Sequence, residues 1–167
     1  MSLAALFFFA GAALAAIGDI RSRKVTNRLN LVILSAGLGW RAGTLDGMTF
    51  LAGLAGVGVG LAVLFVPFAA RWIGAGDLKL LMAIGAWLGP FDTLLAGLFG
   101  LFGGGVLAAA IAFGAGKAVR RSVAKTLAAS ILTLSSPAAP KRARALVVPL
   151  AVPLASAAIA IFMARGY

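Results

Sequence analysis

Apolar residues occur in long runs along the chain, and short stretches between the runs hold most of the charged residues. Such runs are typical of helices in lipid, because crossing the hydrocarbon core of a bilayer takes about 20 apolar residues. The predicted apolar segments are 2–18, 29–40, 48–70, 78–89, 93–115 and 146–164. The pattern predicts an all-α, polytopic membrane protein with about six transmembrane helices, forming one domain over residues 1–167.

The second and fourth segments are short for a span, and they either cross the bilayer or are re-entrant. The basic residues favour crossing. If all six segments cross, the first, third and fifth connections share one face. Those connections, with Lys79, hold 13 of the 15 basic residues: Arg21, Arg23, Lys24, Arg28, Arg71, Lys79, Lys117, Arg120, Arg121, Lys125, Lys141, Arg142 and Arg144. The positive-inside rule then makes this face cytoplasmic and puts the N-terminus and the C-terminus outside.

Composition agrees with a membrane protein. Hydrophobic residues make up 62% of the chain and charged residues 11%, against about 25% charged residues in ordinary soluble domains. The first run lacks a basic segment before it, so we expect a retained span rather than a signal peptide. The net charge of +11 is better explained by contact with anionic lipid than with nucleic acid.

The basic connection at about 116–145 has apolar residues every four positions: Val119, Val123, Leu127 and Ile131. This spacing fits an amphipathic helix on the cytoplasmic lipid surface, and a flexible positively charged loop explains it equally well. Small residues also recur every four positions, as Ala52, Gly56 and Gly60 and as Gly100 and Gly104. We expect these to pack helices within the bundle rather than to form a dimer interface.

The available chemistry is limited, because the chain has no Cys and no His. A disulfide, a thiolate nucleophile and the most common general base are therefore excluded. Of the four acids, the predicted topology places Asp19 and Asp77 at the cytoplasmic face and Asp46 and Asp92 outside. Asp77 precedes the fourth segment and would suit a helix N-cap. Asp19 follows the first span, where the helix dipole disfavours an anion unless a neighbour such as Arg21 pairs with it.

Two carboxylates at one depth on one face suit a particular reaction. If they lie close together, they share one proton, because both cannot ionise easily. The ionised carboxylate can deprotonate a water while the protonated one polarises a peptide carbonyl, which is aspartyl proteolysis. Gly74, Ala75 and Gly76 before Asp77 lack bulk and would let a substrate backbone approach.

These residues resemble a known family. Gly74 to Asp77 matches the GxGD signature of intramembrane aspartyl proteases, and "GAGDLKLLMAIGAWLG" is similar to the corresponding region of the type IV prepilin peptidases. "DIRSRKVTNRLN" resembles the first motif of that family, although Thr26 replaces its usual Pro. The layout is similar to that of the short TadV/CpaA-type members, which serve Flp pili and lack the cytosolic Cys-tetrad domain.

The resemblance implies a multi-pass endopeptidase that removes the basic leader of prepilins after a Gly on the cytoplasmic side. It implies Asp19 and Asp77 as the catalytic pair, Gly74 and Gly76 as the loop that positions Asp77, and no metal or cofactor. Lys79 also matches the motif, with two open roles: tuning the charge of the pair or reaching lipid phosphate. Asn27 is predicted only as a helix cap.

Two other classes of function compete with a protease. Intramembrane acids also mark proton-coupled transporters, in which they would lie deep and be reachable from both faces. The chain could also be an inactive scaffold of a pilus or secretion system. The placement of both acids at one edge, and the presence of both, favour the protease.

Overall fold

A computed structural model describes residues 3–22, 26–44, 47–70, 72–114 and 150–166. These residues form six helices and no strand: α1 (Leu3–Ser22), α2 (Asn27–Gly43), α3 (Gly47–Ala69), α4 (Ala75–Leu88), α5 (Pro90–Gly114) and α6 (Ala151–Arg165). The prediction of an all-helical chain is confirmed for the described residues. The basic connection at 116–145, with its apolar spacing, lies outside them.

Three helices are long and apolar enough to cross a membrane: Leu3–Arg21, Gly47–Ala69 and Pro90–Ala110. Large apolar side chains such as Phe65, Phe99 and Phe102 face outward from these helices. An apolar outer surface of this kind suits lipid, which cannot hydrogen-bond to polar groups. The three helices support a membrane protein.

The short α4 forms the centre of the bundle. It has 14 residues, about 21 Å at 1.5 Å per residue, and Leu80, Leu81 and Ile84 are fully buried. α4 contacts all five other helices. A helix surrounded by protein need not match the bilayer thickness, which explains why this apolar segment is shorter than the three long helices.

Glycines let α3 approach the backbone of α4 closely. A β-carbon at Gly60 would lie 2.8 Å from the Leu81 carbonyl oxygen, and one at Gly56 would collide with Gly85. On the other side of the bundle, Gly100 and Gly104 lie against side chains of α6. The prediction that these small residues pack helices within the chain is therefore confirmed.

The direction of each helix follows from which ends of the helices are in contact. Gly60 of α3 lies beside Leu81 of α4, whereas Gly53, earlier in α3, lies beside Ala86, later in α4, so α3 and α4 are antiparallel. Side chains near the start and the end of α2 bond to the start and the end of α4, so those two helices are parallel. The starts of α2, α4 and α6 therefore share one end of the bundle with the end of α1.

Several helices extend beyond the predicted apolar segments at one or both ends. Residues 90–92 were predicted as a connection, but they form the first turn of α5, where Pro suits the first helical position. The turn between α4 and α5 is Gly89 alone, with φ +80° and ψ −179°, a conformation that favours glycine. The fourth helix also begins earlier than predicted, at Ala75 rather than at residue 78.

Candidate active site

Asp19 lies in the last turn of α1 and is buried, with 6% of its surface exposed. Its Oδ2 accepts a hydrogen bond of 3.0 Å from the backbone N–H of Ala151, the first residue of α6. The N-cap residue of α6, Leu150, has no side chain that could do this. The start of α6 thus supplies the positive end of a helix dipole to a carboxylate that the dipole of α1 disfavours.

Asp77 lies in the first turn of α4 and is half-buried. The N-cap of this helix is Gly74, so the prediction of Asp77 as N-cap was wrong by three positions. From the third helical position its carboxylate accepts a hydrogen bond from the backbone N–H of Gly74. This is the reach-back half of a capping box, and it fixes the side chain against its own loop.

The two carboxylates come together at one end of the bundle. The pKa of Asp77 is raised to about 6, first by burial and then by the negative charge of Asp19. The bond from Gly74 opposes this shift but does not cancel it. A pair of neighbouring carboxylates that resists double ionisation can hold one proton between its members. The fold therefore brings together the two acids that the sequence singled out.

The loop before Asp77 is open. Gly74 and Ala75 are exposed, and a β-carbon at Gly74 would lie 3.5 Å from Oδ2 of Asp77, an ordinary contact distance. The φ of Gly74 is −82°, which any residue adopts, so the backbone conformation does not require glycine. What glycine provides at this position is space beside the carboxylate.

Lys79 lies two residues beyond Asp77 and is exposed. Its Nζ donates a hydrogen bond of 3.0 Å to Oδ1 of Asn27. Asn27 is the first residue of α2 and Thr26 is the N-cap, so the prediction of Asn27 as a cap was wrong. The side chains of Lys79 and Asn27 instead connect the starts of α4 and α2.

Asn30 was not predicted as a site residue. It lies one turn into α2, is 4% exposed, and its Nδ2 donates a hydrogen bond of 3.1 Å to the carbonyl of Gly76. A polar amide inside the mostly apolar segment 29–40 was the available signal. Sequence alone could not show that its partner would be the residue directly before Asp77.

Among the residues that the structure describes, no group of three or more His, Cys, Asp or Glu side chains could hold a metal ion. The polar groups described above at this end include two carboxylates, an ammonium group and two amides. They can exchange protons with a substrate and hydrogen-bond to it.

We call the end of the bundle that holds Asp19 and Asp77 the acidic end. Comparison with known proteins identifies the class of protein to which this bundle belongs. The model of the type IV leader peptidase family matches residues 6–113, which include most of α1, all of α2 to α4, most of α5, and both Asp19 and Asp77. Because the match covers more than half of the chain, the chain belongs to this family, and the family implies a protease. None of the curated proteins or solved structures compared with the chain matched it.

Proposed function

We propose that this chain is an intramembrane aspartyl endopeptidase that removes the short leader of Flp or type IV-like prepilins after a Gly. Asp19 and Asp77 are the catalytic pair, and cleavage takes place at the cytoplasmic face of the bacterial inner membrane. The substrates carry a transmembrane segment of their own. The chain belongs to the short TadV/CpaA type, and no cofactor takes part.

One observation carries this proposal: Asp19 lies close enough to Asp77 for its negative charge to raise the pKa of the second carboxyl. The ionised member of the pair takes a proton from a water, and the resulting hydroxide attacks the carbonyl carbon of the scissile peptide. The protonated member donates its proton to the carbonyl oxygen. Collapse of the tetrahedral intermediate breaks the C–N bond, and the amine leaves with a proton from the pair.

The surroundings of the pair suit this role. Asp19 is held by the start of α6 and Asp77 by Gly74, so neither carboxylate needs a cation to fix its position. The exposed Gly74 and Ala75, with Gly76, leave room for a substrate backbone beside Asp77. A fixed pair beside an open loop favours a positioned reaction over a purely structural role.

The charge distribution supports the cytoplasmic assignment. The connections that precede α2, α4 and α6, together with the adjoining helix ends, hold 13 of the 15 basic residues, and Lys79 near the start of α4 is one of them. If they face the cytoplasm, both termini are outside, and the basic connection contacts anionic lipid. The two carboxylates then meet the basic leader of a prepilin on the side where prepilins are synthesised.

The test is co-expression of a Flp-type prepilin with the wild-type chain or with Asp77→Asn. Asparagine keeps the volume and can still accept the bond from Gly74, so we expect normal accumulation in the membrane and loss of leader removal. Membrane level and cleavage are measured on the same samples. Substantial cleavage by Asp77→Asn at normal protein level would falsify the proposed mechanism and leave Asp77 as a capping residue only.

A further inference from the structure

Asn30 connects α2 to the loop of the acidic end. Its Nδ2 donates to the carbonyl oxygen of Gly76, the residue directly before Asp77. Only the NH2 group of an amide can donate to a carbonyl, so this bond also fixes the orientation of the side chain. The amide oxygen must therefore point away from Gly76.

That oxygen is buried without a partner. Oδ1 of Asn30 has no hydrogen bond to any of the residues that the structure describes, although the residue is only 4% exposed. Buried acceptors are nearly always paired, because an unpaired acceptor loses its bonds to water and gains nothing in return. An acceptor left in this state is suited to a donor that arrives with a ligand.

Asn30 lines a groove between α2 and α4. The groove has a volume of about 340 Å³, with apolar walls formed by Leu31, Leu34 and Met82 and a polar rim formed by Asn27 and Lys79. This volume is at the lower end of the range of about 300–1,000 Å³ for binding clefts, which are also mostly apolar with a few polar groups. Asn30 lines this groove and bonds to Gly76, directly before Asp77, so the groove lies next to the loop that carries Asp77.

The physical state of a membrane-embedded substrate points to what this acceptor binds. Backbone groups in lipid must be hydrogen-bonded, and a helix satisfies them internally. A peptide bond becomes accessible to water and to a carboxylate pair only where the helix is unwound, and unwinding frees backbone N–H groups. Each freed N–H then needs an acceptor from the enzyme.

We propose that the groove between α2 and α4 binds the unwound backbone of the substrate beside the scissile bond. Oδ1 of Asn30 accepts a hydrogen bond from one substrate backbone N–H, while Nδ2 of the same amide holds Gly76. Asn30 is thus a substrate-binding residue tied directly to the loop that carries Asp77. This assignment rests on the proposed endopeptidase function.

The test compares peptide substrates with and without the donor. Purified chain in lipid nanodiscs is given synthetic leader-junction peptides in which single backbone amides near the scissile bond, but not the scissile bond itself, are replaced by esters. An ester lacks the N–H. For the wild type we expect kcat/KM to fall about tenfold at one ester position, the effect of one lost hydrogen bond of about 1.4 kcal/mol.

The variant Asn30→Leu has a similar volume and lacks the acceptor. We expect it to cleave the all-amide peptide at least about tenfold less efficiently, because it also loses the bond to Gly76, with no further loss at the sensitive ester position. Ser35→Ala is the matched control, since the Ser35 hydroxyl donates to carbonyls of its own helix. It should cleave the sensitive ester peptide less efficiently than the all-amide peptide, by the same factor as the wild type. If Asn30→Leu does not accumulate, Asn30→Ala, which also lacks the acceptor, serves for the same comparison.

Retained ester discrimination in the Asn30 variants would overturn the assignment, as would the lack of any sensitive ester position in the wild type. Both results are distinct from failure of the proposed function. That failure would appear as a wild-type chain unable to cleave the all-amide peptide, or as an Asp77→Asn variant that still cleaves it.

Discussion

The two ends of the helical bundle treat their charged groups differently. At the end away from the active site, Asp92 in the first turn of α5 pairs with Arg165 of α6 at 3.0 Å. Arg41 donates hydrogen bonds to the carbonyls of Ala86, Trp87 and Thr49. At the other end, two carboxylates lie close enough to raise a pKa, and the amide oxygen of Asn30 has no partner among the described residues.

The difference separates charges that hold the fold from charges that are available for chemistry. The last carbonyls of α4 have no partner within the helix, and the guanidinium of Arg41 supplies donors to two of them. This arrangement stabilises the end of α4, and the guanidinium and the carbonyls are bonded to each other. At the acidic end, the carboxyl groups of Asp19 and Asp77 instead lie near each other and are largely shielded from solvent, which is a common feature of functional sites.

The sharpest test of this comparison makes the same substitution at both ends. Asp19→Asn should reduce prepilin cleavage by more than about a thousandfold, because a member of a catalytic pair cannot be replaced by an amide that does not ionise. The amide oxygen can still accept from Ala151, so accumulation should be normal. The measurement is leader removal relative to the amount of chain in the membrane.

Asp92→Asn is the matched control. The amide oxygen of asparagine can still accept the hydrogen bonds from Arg165, so we expect cleavage within about twofold of the wild type. The double variant Asp19→Asn with Asp77→Asn should be hardly worse than either single variant, since the two acids act as one unit. Similar losses for Asp92→Asn and Asp19→Asn would show that the two ends do not differ in function.

The sidedness of the two ends is the second prediction. Thr26→Cys and Ala75→Cys, both at exposed positions of the acidic end, should react with an impermeant thiol reagent only from the cytoplasmic side. Thr44→Cys, exposed at the opposite end, should react only from outside. The natural chain has no Cys, so each label has one target. Reaction of the residue 26 and residue 75 cysteines from opposite sides would contradict the proposed catalytic pair.

The sequence was sufficient to predict the helices and to single out the two acids that the fold brings near each other, because both depend on local chemistry. Apolar runs define helices wherever the chain lies, and Asp19 and Asp77 stand out because carboxylates are rare in such runs. The predicted helix ends were misplaced because each helix was expected to extend little beyond its apolar run. Asp77 is the third residue of α4 and not its cap, and Asp92 lies inside α5.

The polar contacts between helices could not be predicted, because they depend on how distant segments meet. No feature near Asp19 indicates that its partner is the backbone of Ala151, at the start of the last helix. The bond from Asn30 to Gly76 likewise depends on α2 and α4 running parallel with their first turns aligned. Nearly every residue has the same backbone donor and acceptor, so the residue type does not indicate which backbone group is the partner.

The pH dependence of cleavage gives the smallest and most specific difference between the ends. The pair needs one protonated and one ionised carboxyl, so activity should follow a bell-shaped profile. Since burial and the charge of Asp19 raise the pKa of Asp77 to about 6, a falling alkaline limb should begin near this pH, with about a tenfold loss per pH unit. The measurement is the initial rate of peptide cleavage in nanodiscs from about pH 4 to about pH 9. Asp92→Asn should give the same profile, because Asp92 lies at the other end, beside Arg165. A rate that rises to a plateau at high pH would mean that no protonated carboxyl is needed, and the acidic end would then have to work without a shared proton.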